Sequence, residues 1–191
     1  MSVLWHLFKC AVAAFALAGL GLAAVPQALA QAQPVNADEL MAQLADPDTQ
    51  NWQQIERQIR TEWSRSGSAA MDLLLQRGEK AIEDEKFDEA LEHLTALTDH
   101  APDFAEGWNA RATALFRSDL YGPALEDISK ALALNPQHFG AMTGLAVILQ
   151  GVGMEREALD AWYLVEALHP HRPEMKDAIK ALEAKVGGTS L

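Results

Sequence analysis

Apolar residues return at steps of three and four along this chain, the spacing of one face of a helix. Leu40, Met41 and Leu44 mark a short helix over Ala37 to Ala45, and Pro47 disfavours helix at Asp46 before it. Asp48 then caps a second helix running to about Arg65, along which Trp52, Ile55, Ile59 and Trp63 form a narrow stripe. Such a stripe packs a helix on its neighbour, here the first of three repeated units, or serves as a ligand platform. Ser66-Gly67-Ser68 ends it. Six further helices come in pairs: Ser68 to Asp84 with Phe87 to His100, Asp103 to Arg117 with Tyr121 to Leu134, and Gln137 to Gln150 with Glu155 to Leu168. Pro102, Pro136 and Pro170 close the pairs, because proline cannot continue a helix. A last helix, Pro173 to Val186, carries Met175, Ile179, Leu182 and Val186 on one face and Lys176, Lys180, Glu183 and Lys185 on the other. It has no partner after it, which suits a cap on the last pair.

The three pairs repeat one another. From Met71 to Arg172 the sequence aligns with itself at a shift of 34 residues, which puts the three prolines in one row and Ala90, Ala124 and Ala158 in another. Gly78, Ala112 and Ala146 form a row of small residues, as helices about 8–10 Å apart require at their closest approach. Leu91, Leu125 and Leu159, then Leu94, Ile128 and Trp162, complete the apolar rows. A unit of this size cannot bury its apolar face alone and must stack on its neighbours.

These residues resemble the tetratricopeptide repeat family, antiparallel helix pairs of 34 residues stacked into a superhelix. In the middle unit Trp108, Ala112, Tyr121, Ala124, Ile128, Ala131 and Pro136 fill the family's recurrent places. The first unit departs with Leu74 and Leu97, and the third with Met142 and Glu155. The resemblance implies an all-α solenoid of three hairpins, with residues 37–66 as an N-terminal helical extension and 67–186 as the repeats with their cap. Arg77 and Arg111 occupy a usually apolar place, where their stems pack between helices and their heads reach water.

The first 30 residues read as an export signal. Lys9 precedes the apolar run Ala11 to Val25, and Ala28-Leu29-Ala30 offers the small residues that a signal peptidase admits, so cleavage falls before Gln31. Residues 31–36 are then a polar leader and 187–191 a short tail. The run is short against the about 20 residues of a membrane span, though Val3 to Phe8 would lengthen it if the segment stayed as an inner-membrane anchor. Cys10 is the single cysteine, so cleavage leaves no disulfide and no thiolate nucleophile. The chain carries a net charge of −12, and the residues beyond the signal, without Lys9, carry about −13, which disfavours nucleic acid and anionic membranes as partners.

No catalytic constellation emerges. His93 and His100 lie seven apart, His169-Pro170-His171 spans a turn between units, and no set of ligands converges for a metal. Glu83 with Asp84, and Glu126 with Asp127, read as solvated helix faces. There is no phosphate-binding glycine loop and no cofactor motif. In the family the first helix of each unit lines a concave groove, which implies Asp72, Leu75, Glu79 and Glu83 from the first unit. Glu106, Asn109, Thr113, Phe116 and Arg117 come from the second, and Thr143, Val147 and Gln150 from the third. Leu75 and Phe116, large and apolar, mark contact with a partner. The basic and asparagine places with which some members clamp a C-terminal carboxylate carry Leu75 and Glu79 instead. The sequence therefore describes an exported, periplasmic, non-enzymatic adaptor for a peptide or protein, with no small-molecule substrate. The alternative is a permanent subunit of an envelope assembly. N-terminal sequencing of the exported protein should begin at Gln31, and a start at Met1 or Ser2 would mean that the segment is retained.

Overall fold

A computed structural model describes residues 36–188, and every regular element among them is helical. The segment read as an export signal, most of the leader, and the last three residues lie outside the described residues. The helices are α1 (Ala37–Ala45), α2 (Trp52–Trp63), α3 (Ala69–Glu83), α4 (Phe87–His100), α5 (Ala105–Arg117), α6 (Tyr121–Leu134), α7 (Phe139–Gly151), α8 (Glu155–Leu168) and α9 (Pro173–Gly188). The three hairpins are α3 with α4, α5 with α6, and α7 with α8. Among the described residues no helix is long and apolar enough to cross a membrane.

Each hairpin turns in the same way. Glu85, Asp119 and Gly153 adopt positive φ, at 59°, 61° and 80°. The amide one residue later bonds back to the preceding helix, Lys86 to Ala81 at 2.8 Å, Leu120 to Leu115 at 2.9 Å and Met154 to Leu149 at 2.9 Å. This left-handed C-cap satisfies carbonyls that the helix end would orphan. Only the third unit places glycine at the left-handed position. The other two carry an acidic residue there, at some cost in backbone strain.

Packing obeys the rows. Ala90, Ala124 and Ala158 are fully buried, and Leu94, Ile128 and Trp162 lie against them at the centres of successive clusters. The first cluster borrows Ala110 and Ala114 from α5, and the second borrows Ala141 and Ile148 from α7. Each hairpin is thus completed by the next. Helix α9 buries Met175, Ile179 and Leu182 in the third cluster, as a cap must, and extends two residues beyond Val186 through Gly187 and Gly188.

Two expectations fail. Asp48 does not cap α2, because the helix starts later, at Trp52 with Asn51 in the N-cap position, and the Asp48 amide instead donates to Asp46 at 3.0 Å. Nor does the α1–α2 hairpin pack on the first unit. Leu40, Met41, Leu44, Ile55 and Ile59 form their own cluster with Phe139 and Leu168, at the ends of α7 and α8. The third unit alone offers an aromatic residue there, since Ala105 stands at the place of Phe139 one unit earlier.

Gly78 shows how tight the stack is. A Cβ built on it would fall inside the side chain of Leu94, which is fully buried and has nowhere to move. Gly78→Ala should therefore lower stability by about 1–3 kcal/mol from overpacking, despite a helix-propensity gain of up to about 1 kcal/mol. Urea unfolding of the variant beside the parent checks it.

Candidate functional site: a slot between α5 and α7

Helices α5 and α7 lie side by side as the first helices of the second and third units. Where α5 carries Glu106 and Ala110, α7 carries Gly140 and Gly144 at the equivalent places. The missing side chains leave a slot of about 240 Å³. Asn109, Thr113 and Phe116 line it from α5, Thr143 and Val147 from α7, and Ala112 and Ile128 close its floor. The Thr113 hydroxyl donates to the Asn109 carbonyl at 3.0 Å and that of Thr143 to the Phe139 carbonyl at 2.7 Å. Both donors are thus engaged one turn back. What the slot presents is mainly apolar, with Phe116 half-buried against Tyr121 and Val147 exposed.

Five of the twelve sequence-derived groove residues meet in this slot: Asn109, Thr113, Phe116, Thr143 and Val147. The other seven do not. Leu75, expected as an exposed anchor, is 1% exposed and packs with Leu94 and Leu97 in the first hairpin's core. Asp72 accepts from the Ser66 amide at 2.7 Å and hydroxyl at 2.6 Å, tying the turn before α3 and holding its carboxyl below the usual range. Gln150 accepts from the Trp162 indole at 3.3 Å. Arg117 reaches Glu85 and lies over the Phe87 ring.

An acidic group stands beside the slot. Glu106 accepts from the Asn109 amide at 2.8 Å and contacts His138 at 3.0 Å. Glu79 keeps an exposed face, yet crowding by neighbouring atoms, followed by the charge of Glu106, pushes its pKa up against the pull of Arg60. Glu83 adds further repulsion and itself has Lys80 at 4.0 Å. Among the described residues no group of three or more His, Cys, Asp or Glu is placed to hold a metal ion.

Sequence reasoning missed the clamp that positions α5. Arg111 does not send its head into water. It makes two bonds to Asp127 on α6, at 2.6 and 2.8 Å, donates to Thr98 on α4 at 2.8 Å, and lies over the Trp108 ring. Asp127 is buried, not on a solvated face. A basic residue at an apolar row, sixteen positions before an acidic one on the paired helix, was the available signal.

No family model matches the chain. A TPR repeat-containing protein of Rhizobium etli is 37% identical over 154 residues, which span 79% of this chain and 74% of that protein. Among solved structures, the first TPR of Spaghetti (RPAP3) bound to an HSP90 peptide is similar with a TM-score of 0.60 at 24% identity, over 63% of this chain and 95% of that one. The type III secretion chaperone SycD of Yersinia enterocolitica, in complex with a peptide of the translocator YopD, gives 0.58 at 16% identity, over 62% and 95%. At those identities the two structures share the fold.

The Arg111 clamp yields a stability prediction. Arg111→Ala leaves the Asp127 carboxylate buried without its partner and should cost about 3–5 kcal/mol, whereas replacing both residues with apolar ones of similar volume should recover most of it. Denaturant unfolding of the single and double variants measures the difference.

Proposed function

The chain belongs to the tetratricopeptide repeat family, and on that footing we propose that it is an exported adaptor. It holds a peptide or protein segment by seating an apolar side chain in the slot between α5 and α7. The slot carries this reading. It is smaller than the about 300–1,000 Å³ of small-molecule sites, and it suits a side chain rather than a cofactor. A Lys or Arg of the same partner lies toward Glu79, Glu83 and Glu106, where a cation relieves the repulsion that adds to desolvation in raising the Glu79 pKa. Two proteins of similar fold hold peptides, of HSP90 and of YopD, which supports the peptide class without specifying this partner. The compartment in this proposal is the bacterial periplasm, reached through the apolar segment and Ala28-Leu29-Ala30.

A second reading, a permanent subunit of an envelope assembly, draws on Leu134 and Leu164, which stand 40% and 54% exposed on the second helices of their hairpins. An adaptor is recovered as a free monomer, and a subunit mainly in one stable complex.

Peptides recovered by affinity capture and crosslinking from the native envelope provide the titrant. Phe116→Ala should weaken their binding by at least about 1 kcal/mol, as expected for an apolar anchor. Val147→Trp should fill the slot and abolish it. Glu79→Lys should slow association, chiefly at low salt. Unchanged affinity in all three, with folding intact, would move the binding surface elsewhere.

A further inference from the structure

The α1–α2 hairpin is attached to the repeats by an unusual seam. Three of the chain's six histidines lie in it. Trp63 stacks on His138 with ring centres 4.7 Å apart, and Trp52 stacks on His171 at 5.6 Å and meets His169 edge-on at 5.5 Å. Glu56 of α2 binds Arg172 at 2.6 Å and His169 at 3.3 Å, and the His171 ring reaches the Leu44 carbonyl at 3.1 Å. Of the apolar residues in the hairpin's cluster, only Phe139 and Leu168 belong to the repeats. Gly67, at φ +82° with open space around it, stands in the short link to α3. The hairpin is therefore a separate packing unit on a hinge, held to the third unit chiefly by aromatic and ionic contacts. Gly140 of the slot comes directly after Phe139 in the chain.

We propose that this hairpin is a reversible cover on the third unit's end of the groove, released when His169 takes a proton. His169 is completely buried, and its Nδ1 has no hydrogen-bond partner among the described residues. A proton there would be a buried donor without an acceptor. The groups that face the ring are Glu56 on α2 and His171 and Arg172 in the turn before α9. Glu56 is no free counter-ion, because Arg172 neutralises it and Arg60 approaches it at 3.5 Å. Burial, opposed by the Glu56 contact and reinforced by Arg172, holds the His169 pKa below its ordinary value. The released hairpin frees the ring to protonate near about 6.5. The seam thus keeps its full strength above that pH and weakens as pH falls below it. The consequence for partner binding rests on the groove reading above, whereas the release itself does not.

Amide hydrogen exchange of the full chain without any partner tests the release, at about pH 7.5 and about pH 5.5 with rates scaled to the unstructured chain. Isolated helices as short as α1 and α2 are marginal in water, so a detached hairpin exchanges. Protection over Ala37–Ala45 and Trp52–Trp63 should fall at the lower pH, by up to about ten-fold per unit below about 6.5, while α5 and α7 keep theirs. His169→Phe should remove the pH dependence, and Glu56→Ala should deprotect the hairpin already at the higher pH. Hairpin protection independent of pH, or a pH response that survives His169→Phe, would overturn the proposal. So would full protection in Glu56→Ala, which keeps the test decisive if the Phe variant does not fold.

Discussion

The close approach of the two helices within each hairpin is the constraint on which the rest depends. With Ala90, Ala124 and Ala158 at zero exposure and no room for a methyl at Gly78, every hairpin is pulled into nearly the same geometry. Identical hairpins then stack by completing one another's cores, so stability passes from neighbour to neighbour. The Arg111 clamp belongs to the same logic. It joins α4, α5 and α6 through one guanidinium, and in doing so fixes the helix that forms one wall of the slot.

The slot is where that constraint is relaxed. Between the first helices of adjoining units, contact depends on which side chains fill the space. Gly140 and Gly144 fill none of it. The second and third units therefore part locally over an apolar floor, and the gap lies beside Glu106, whose charge repels that of Glu79. At the start of α7 the α1–α2 hairpin covers Phe139 and His138, next to Gly140 of the slot, so the groove edge belongs partly to the chain itself.

Most of the fold was legible because it is written three times. The rows of alanine, the prolines and the apolar steps all predict the same hairpin, and they give boundaries such as Phe87 to His100 or Tyr121 to Leu134 directly. Less of the site was legible, for three physical reasons. A position in the repeat assigns a residue to a helix face but does not say how far the neighbouring helix covers it, which is why Leu75 is core and Phe116 is not. Polar pairings across helices, such as Arg111 with Asp127, leave no periodic trace. The seat of the tryptophan stripe depends on which unit offers aromatic and histidine side chains at its ends, and the rows that carry His138, His169 and Arg172 carry Phe104, Asn135 and His138 one unit earlier.

Entry of partners into the slot between α5 and α7 can be tested directly in the cells that make the protein. A photo-crosslinking amino acid placed at Val147 in one strain and at Leu164 in another samples the slot and the outer surface of α8. Binding in the slot predicts a discrete crosslinked partner from Val147 and none from Leu164. A partner captured from Leu164 alone would contradict it and assign the working surface to the outer helices.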